Sequence, residues 1–283
     1  MKRIKVRTWV KVLFLFIVII SSTILYARYI EPKIYITKEY SIIDSSIPNS
    51  FYGFKIVQIS DINYKFNNDK SDLNNIVKEI NRIKPDIVIL TGDLLNNKVK
   101  YTNEDYKDIT NILKGINYNI EKFAIKGEND NIDEWNSIIE NSNFTDLNDT
   151  YKFIYNEGIE PILLVGISSN YKDNHITETI DNIYSEINTE YKFSILALHE
   201  PDFINSIDYS KFNLILAGHS LNGTIKLPYI GGIIKEKNSK IYYNDYYELN
   251  NTKLYISSGI GTNKYKFRLF NPPSISLYRL RNK

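Results

Sequence analysis

The segment LILAGHSLNGTIKLP, residues 214–228, joins an apolar run to a polar turn. Residues 214–217 have the length and apolar character of a buried strand. Gly218 and His219 follow directly, and a further glycine stands at position 223. This pattern predicts a strand that ends in a histidine held by a turn. His219 is unpaired in the segment, because no second histidine occurs beside it.

Short apolar runs alternate with helical periodicity from Lys55 onward, which is typical of layered α/β architecture. The predicted strands are residues 54–60, 85–93, 122–127, 153–158, 161–168, 193–199 and 212–219. One predicted helix begins after Asp69 and extends to Ile83, and three further helices cover residues 104–113, 132–140 and 175–187. The C-terminal stretches 240–261 and 274–280 have strand character without helices. We therefore expect one α/β domain with an all-β tail.

The chain of 283 residues contains no cysteine and three histidines. The absence of cysteine excludes disulfide bonds, thiolate catalysis and cysteine-type zinc sites. A metal site in this protein must therefore use carboxylates or amides beside its few imidazoles.

The N-terminus is basic and then apolar, with five Lys or Arg residues before a run from Val12 to Ala27. This arrangement indicates a membrane segment or a signal peptide. An uncleaved anchor is favoured because Leu25-Tyr26-Ala27 is a poor cleavage site. The excess of basic residues before the run predicts a cytoplasmic N-terminus and an extracytoplasmic remainder, attached to the cell membrane by a single pass.

The sequence has no internal repeat and no low-complexity linker. It predicts a membrane anchor over residues 1–27, a membrane-proximal tether over 28–50 and one catalytic-type domain over 51–283. Residues 34–283 carry 28 Lys and Arg against 32 Asp and Glu. Because this balance is slightly acidic, nucleic acid is disfavoured as the natural partner.

Polar residues follow five of the predicted strands. They are Asp61, Asp93, Glu128, His199 and His219. Each one alone is explained by a helix cap or a hydrogen-bonded loop. Ligands bind beyond the carboxyl ends of the strands in open α/β sheets. Five such endings in succession, with two of the three histidines, therefore predict one site for a divalent cation.

The motifs D-x-[HN], G-D, G-[NE]-[HN]-D, H-E-P-D and G-H-x-x-x-G occur in this order. Their order resembles that of the calcineurin-like metallophosphoesterases, in particular the membrane-anchored bacterial branch, from Lys55 to the C-terminus. The glycine-rich turn and the R-x-F-N-P-P segment at 268–273 also resemble the ending of that branch. The resemblance implies a four-layer αββα sandwich, with two sheets between helices and metals at the sheet edges.

The family binds two metals, and the positions of the first are incomplete in this chain. The resemblance assigns them to Asp61, Asn63, Asp93 and Leu221. Two histidines of the family pattern are therefore replaced, and leucine cannot ligate a metal. The second histidine of the family pattern, absent here because position 221 is leucine, is a ligand of this first metal.

The ligand positions of the second metal are all occupied by residues able to bind it. The resemblance assigns them to Asp93, Glu128, His199 and His219. Glutamate in place of the family's asparagine adds a negative charge, which strengthens the attraction for one cation. The resemblance thus implies one divalent ion per chain, manganese, iron or zinc, with Asp61 orienting a water or acting as a base.

Asn129 stands where the family has a histidine that assists the leaving group. Loss of such a general acid costs ~10²–10⁴ in rate. The leading hypothesis is therefore a membrane-anchored metallophosphoesterase with slow or narrow activity on a phosphorylated small molecule or lipid. A lapsed enzyme that binds a phosphorylated envelope component or a protein is the competing hypothesis, and an extracytoplasmic nuclease is a third.

The other polar residues near the motifs have structural explanations. Asp130, Glu200 and Asp202 match motif positions, but hydrogen bonding within the fold accounts for them. His175 follows no predicted strand, and we expect it at the solvated start of a helix.

Overall fold

A computed structural model describes residues 8–169 and 175–283 of the chain. Two six-stranded sheets pack face to face, and helices cover the outer face of each. The α/β class and the four-layer αββα sandwich are confirmed. Residues 170–174, which connect the strand predicted over 161–168 to the helix predicted over 175–187, lie outside the described ranges.

The helices are α1 Thr8–Leu25, α2 Lys70–Ile83, α3 Asn103–Lys114, α4 Ile132–Asn141 and α5 His175–Glu186. The strands of the first sheet, in spatial order, are β1 Ile36–Ile43, β14 Ser274–Arg281, β2 Lys55–Ile59, β3 Ile87–Thr91, β4 Glu121–Ile125 and β5 Thr145–Asp146. Those of the second are β12 Tyr246–Leu249, β13 Thr252–Ile256, β9 Leu214–Ala217, β8 Phe193–Leu198, β7 Ile162–Ile167 and β6 Thr150–Ile154. A separate hairpin pairs β10 Lys226–Leu227 with β11 Gly231–Gly232.

The central strands are buried on both faces, which explains their unbroken apolar sequences. The core between the sheets includes Phe123 of β4 and Phe193 of β8, both fully buried. One outer core joins the first sheet to α2, α3 and α4, and another joins the second sheet to α5. The two sheets are thereby held in one body.

Helix α2 begins where its sequence predicts. The Asp69 side chain accepts hydrogen bonds from the backbone amides of Ser71 and Asp72, at 2.8 and 3.1 Å. The Asp72 side chain in turn accepts a hydrogen bond from the Asp69 backbone amide, which completes a capping box. This cap fixes the first crossover of the sheet and the position of the loop before it.

The segment predicted as a tether, residues 28–50, differs in the structure over residues 36–43. These residues form β1, which pairs in parallel with β14 at the edge of the first sheet. Its exposed and half-buried residues alternate, because only one face of this edge strand packs on the domain. Its polar alternate positions give this strand no apolar run by which the sequence could identify it.

Strands β2, β3 and β4 of one sheet and β7, β8 and β9 of the other run in parallel within their sheets. Their carboxyl ends lie at one edge of the sandwich. The Gln58 side chain of β2 donates to the Ala217 carbonyl of β9 at 2.9 Å, which ties the two sheets together at this edge. The predicted site residues come within three residues of the ends of five of these strands, all except β7.

The N-terminal helical segment Thr8–Lys33 has 26 residues and a mean hydropathy of 2.3 in its most apolar window. It is long and apolar enough to cross a membrane. Its end packs on the domain, since Ala27 is buried and its carbonyl accepts from the Arg268 amide at 2.9 Å.

Candidate metal centre

The five predicted strand-end residues lie together at the shared edge of the two sheets. Ligand atoms of Asp61, Asp93 and His199 are all within 4.8 Å of one another. The rings of His199 and His219 have centroids 5.1 Å apart. His219 Nδ1 in turn lies 3.6 Å from Glu128 Oε1. The tightest group thus includes Asp61, with Glu128 and His219 beside it.

Close packing of backbone at this edge requires glycine at two positions. A Cβ on Gly218 would lie 2.0 Å from Ser60 Oγ. A Cβ on Gly92 would lie 2.5 Å from His199 Nδ1, and the φ of +87° at Gly92 also favours glycine. The two glycines let the turns after β3 and β9 approach the ligating side chains.

Several residues with side chains adopt left-handed backbone at the same turns. Asp61, Asp93 and His219 have φ values of 50°, 53° and 65°. Such conformations cost free energy and concentrate at functional sites. The turns therefore aim these three side chains into the cluster at the expense of local backbone strain.

Hydrogen bonds orient both histidines. His199 Nδ1 lies 2.7 Å from the Thr91 carbonyl, so Nδ1 carries the proton and Nε2 is left available to a metal. His219 Nε2 lies 2.5 Å from the Lys237 carbonyl, which leaves Nδ1 as its ligating atom. Fixing the tautomer in this way is typical of histidines that ligate metals.

Asp61 is held by one of its two oxygens. Oδ2 accepts from Ser60 Oγ at 2.6 Å and from the His219 amide at 2.9 Å. Oδ1 is buried and has no hydrogen-bond partner among the described residues. The carboxylate is thus oriented with one oxygen directed away from the bonds that hold it.

Three buried acceptor atoms in this cluster lack partners within the described part of the chain. They are Asp61 Oδ1, His199 Nε2 and His219 Nδ1. Buried polar atoms are almost always satisfied, so three unpaired lone pairs in one place call for a ligand. Two imidazole nitrogens and carboxylate oxygens are the donor set for a divalent transition metal. The residues present therefore fit such an ion.

The electrostatics of the cluster also favour a cation. Burial, together with the charge of Asp93, raises the pKa of Asp61. Burial opposes ionisation of Asp93 too, but neighbouring His199 lowers its pKa below the ordinary value. Burial alone would lower the pKa of His199, but the combined attraction of Asp93, Asp61 and Glu200 raises it well above its ordinary value. The carboxyl groups thus require nearby positive charge to ionise together.

Asn63 and Leu221, at the positions of the first metal, offer no free acceptor atom to the cluster. The Asn63 Oδ1 accepts from Asn96 Nδ2 at 2.7 Å. Leu221 is buried, and its carbonyl accepts from Asn271 Nδ2 at 2.6 Å. Hydrogen bonds and packing have thus taken over the positions of the two missing histidines.

Asn129 contacts the cluster through Asp93. Its backbone amide donates to Asp93 Oδ1 at 2.9 Å, and its Nδ2 donates to Asp93 Oδ2 at 2.5 Å. An asparagine amide has no proton to give to a leaving group at neutral pH. In this arrangement Asn129 orients a carboxylate.

The remaining motif residues hold the backbone. Asp130 accepts from the amides of Leu95 and Gly127, each at 2.9 Å. Asp202 accepts from three amides of residues 240–242, and Glu200 accepts from Ser169 Oγ at 2.6 Å. His175 begins α5, and its side chain is 72% exposed.

Sequence reasoning missed the groups that orient the ligands. The carbonyls of Thr91 and Lys237 hold the histidines, and any residue type supplies a carbonyl. Ser60, which donates to Asp61, and Asn96, which donates to Asn63, carry a weak signal because they stand next to motif residues.

Arg268 is also part of the support of the site. Its buried guanidinium donates to the carbonyls of Ser258, Gly261 and Asn271. Burial lowers its pKa to about 10. The Gly261 amide donates to the Asp61 carbonyl at 2.7 Å, so Arg268 braces the loop next to a ligating residue. The R-x-F-N-P-P segment was the available signal for this role.

Known proteins are similar in sequence to this chain. An uncharacterized metallophosphoesterase of Bacillus subtilis (strain 168), YkuE, is 30% identical over 263 residues, covering 91% of this chain and 89% of the relative. The uncharacterized metallophosphoesterase Cj0846 of Campylobacter jejuni is 28% identical over 252 residues, and these cover 87% of this chain but 64% of that relative. The solved structure of the Haemophilus influenzae NAD nucleotidase NadN matches with a TM-score of 0.44 and 13% identity, over 72% of this chain and 44% of that one.

The family match covers residues 54–223, from the start of β2 to the turn after His219. This range contains all five strand-end residues of the cluster. It covers more than half of the chain, and the similarity to the Bacillus relative extends over nearly the whole of both proteins. The chain therefore belongs to the calcineurin-like phosphoesterase family.

Proposed function

We propose that this protein is a membrane-anchored phosphoesterase that hydrolyses a phosphate ester with a single divalent ion or a weakened two-metal site. The observation that carries the proposal is the set of three buried acceptor atoms, on Asp61, His199 and His219, that have no partner within residues 8–169 and 175–283. They converge with Asp93 at the edge of the sheets where a substrate reaches the site.

The metal ligands in this proposal are Asp93, Glu128, His199 and His219, with Asp61 Oδ1 facing the same cluster. An ion held by these residues would supply positive charge near a phosphoryl oxygen and would lower the pKa of a nearby water. Asp61 is anchored through Oδ2, so its Oδ1 is the atom that orients that water or takes its proton. Asn129 keeps Asp93 in place.

The competing proposal is a protein that binds a phosphorylated envelope component or a partner protein without turnover. It is favoured by Asn129, whose amide is occupied with Asp93 and supplies no acid. The bonding of Asn63 to Asn96 adds to it, because this position has become part of the structural network. Turnover of an aryl phosphate monoester or diester with added manganese distinguishes the two, since only an enzyme consumes it.

The metal content of the purified protein is expected to be about one divalent transition ion per chain. His219→Ala should lose most of it, because His219 Nδ1 is a buried acceptor without another partner in the described ranges. His175→Ala is the matched control, since His175 is exposed at the start of α5. Elemental analysis after removal of loosely bound ions gives the stoichiometry. Two tightly bound ions per wild-type chain, or full retention of the ion by His219→Ala, would contradict the ligand assignment.

The proposed location is the outer side of the cell membrane, with the N-terminus in the cytoplasm. Support comes from the apolar helical segment Thr8–Lys33 and the basic residues before it. Because the chain has no cysteine, a single Ile159→Cys variant can be labelled uniquely, and Ile159 is 92% exposed.

A maleimide that does not cross membranes is expected to label Ile159→Cys in intact, wall-stripped cells. The cysteine-free wild type is the control for background labelling. Labelling only after the cells are lysed would place the domain in the cytoplasm. Recovery of the labelled domain in the medium, without the first 27 residues, would show a cleaved signal peptide.

A phosphorylated small molecule or lipid is the proposed substrate class. The family implies a phosphorylated substrate, and the position of the site relative to the anchor favours one at the membrane. Nucleic acid is disfavoured, because residues 34–283 carry more acidic than basic residues.

A further inference from the structure

The end of the anchor helix is bonded to the same loop that braces the metal centre. The Glu31 carboxylate accepts from the backbone amides of Phe270 and Asn271, at 3.0 and 2.5 Å. Glu31 is only 3% exposed, so these bonds are sheltered from water. Arg28, just beyond the apolar run, donates to Asn67 Oδ1 at 3.2 Å. The helix therefore leaves its apolar segment in a fixed orientation on the domain.

The loop is continuous with the hairpin of β10 and β11. The Lys226 amide donates to the Leu269 carbonyl at 2.9 Å, and Ile225 forms a bridge with Leu269. The hairpin tip is Pro228-Tyr229-Ile230, and one shallow groove is lined by both the tip and Phe270. A chain of direct contacts thus leads from the anchor through Phe270 to the hairpin tip.

Large apolar side chains are exposed along this chain of contacts. Tyr229 is fully exposed, Ile230 is 70% exposed and Phe270 is 59% exposed. We call these three side chains the hairpin patch. Contiguous apolar surface of this kind marks a protein or membrane contact. Tyr229 and Ile230 belong to the hairpin tip and Phe270 to a separate loop, so no single element explains their common exposure.

The anchor itself indicates which contact this is. Tyr26 and Tyr29 are exposed where the apolar helix ends, which is the position of the aromatic belt at a membrane surface. Glu31, two residues after Tyr29, holds the Phe270 amide. Tyr29 lies in a π-helical turn and Glu31 begins a 3₁₀ turn, in which each residue rises about 2.0 Å, so the Phe270 amide lies near the depth of the belt. The bilayer that holds the anchor is therefore within reach of the hairpin patch.

We propose that the hairpin patch of Tyr229, Ile230 and Phe270 inserts into the interface of the bilayer that holds the anchor. The domain then lies on the membrane with its metal centre at the same end. Arg268 and Asn271 connect this end to the centre, since they bond to the Gly261 and Leu221 carbonyls. The inference rests on the proposed anchor and is independent of hydrolysis.

Charge agrees with a membrane contact at this end. Lys264 and Lys266 flank the exposed Tyr265 in the loop before Arg268, and Lys235 and Lys237 follow the hairpin. Basic and aromatic residues beside apolar side chains are characteristic of segments that lie in the interface of anionic membranes. A soluble acidic protein could also bind these basic residues, but such a partner would not explain why the exposed Phe270 lies next to the anchor.

Spin labels on the full-length protein test the proposal. Ile230→Cys and Phe270→Cys are each labelled with a nitroxide and reconstituted in vesicles of phosphatidylglycerol and phosphatidylethanolamine. Ile159→Cys is the matched control, because this exposed isoleucine precedes β7 at the opposite end of the parallel strands. Ile17→Cys, in the exposed middle of α1, reports on the anchor.

We expect labels at 230 and 270 to collide more often with oxygen, and severalfold less often with an aqueous nickel complex, than the label at 159. Access of the nickel complex to 230 and 270 equal to that at 159, with 17 shielded in lipid, would overturn the patch and leave the anchor intact. Low access of both reagents would mean cover by protein, such as a second copy, and would also overturn it. An aqueous label at 17 would refute the anchor and the patch together.

Discussion

Asp93→Ala is expected to abolish binding of the divalent ion and to lower the phosphoesterase rate by more than about 100-fold. Partners outside the ligand set already contribute about 10–100-fold to affinity or activity in metal sites, and a central ligand should contribute more. Asp93 is fully buried, lies 3.4 Å from His199 Nε2 and accepts both bonds from Asn129. Its removal takes away a ligand and leaves the buried His199 imidazole, whose pKa Asp93 helps to raise, without that carboxylate partner.

The measurements are the initial rate on an aryl phosphate ester with added manganese and the metal content, each for the wild type and for Asp93→Ala. Asp181→Ala is the matched control, because that carboxylate is 60% exposed on α5 and pairs only with Lys211 among the described residues. A thermal unfolding scan establishes that the variant is folded under assay conditions. A folded Asp93→Ala protein with the wild-type rate would show that the measured hydrolysis takes place elsewhere or belongs to a contaminant.

The location of the site follows from sequence because it depends on strand ends. Asp61, Asp93 and His199 come directly after buried parallel strands, and the carboxyl ends of such strands meet at one edge. The predicted cap at Asp69 rests on a similarly local rule and is confirmed. Local sequence patterns are therefore sufficient to predict those features that residues adjacent in the chain determine.

Features that depend on partners distant along the chain cannot be predicted from local sequence patterns. β1 is an edge strand whose polar alternate residues resemble a linker, and its partner β14 lies at the other end of the chain. The tautomers of His199 and His219 are set by carbonyls, which every residue type has. The contact of Asn129 with Asp93 is equally invisible, because it depends on how the turn after β4 folds back on the turn after β3.

The departures at Asn63, Leu221 and Asn129 can be tested by restoring the family's histidines. At position 221 the backbone has a φ of 48°, which histidine tolerates better than leucine does. A Cβ on Gly259 would lie 2.4 Å from the Leu221 side chain and 3.0 Å from Asp61 Cβ, so residue 221 is already beside a ligand. An imidazole at position 221 would therefore stand close to Asp61.

The other two changes free acceptor atoms. Asn63→His replaces an amide whose oxygen is occupied by Asn96. Asn129→His removes the side-chain bond to Asp93 Oδ2 and keeps the backbone bond to Oδ1, so Asp93 gains an oxygen for a second ion. Glu128→Asn can be added, because an extra carboxylate beside His219 favours a single cation.

The combined variant Asn63→His, Leu221→His and Asn129→His is expected to bind a second divalent ion. It should hydrolyse an aryl phosphate at least about tenfold faster than wild type, because two ions would stabilise both the attacking and the leaving oxygen. Each single change should do little, since ligands and acid act as a unit and their effects are strongly non-additive. His175→Ala in the same background is the control for nonspecific metal binding by histidine, because His175 is exposed and outside the cluster. A second ion without faster turnover would favour the binding protein over the enzyme. A folded variant that gains no ion would contradict the assignment of positions 63 and 221 to a metal, because Asp61 and Asp93 still offer their carboxylates there.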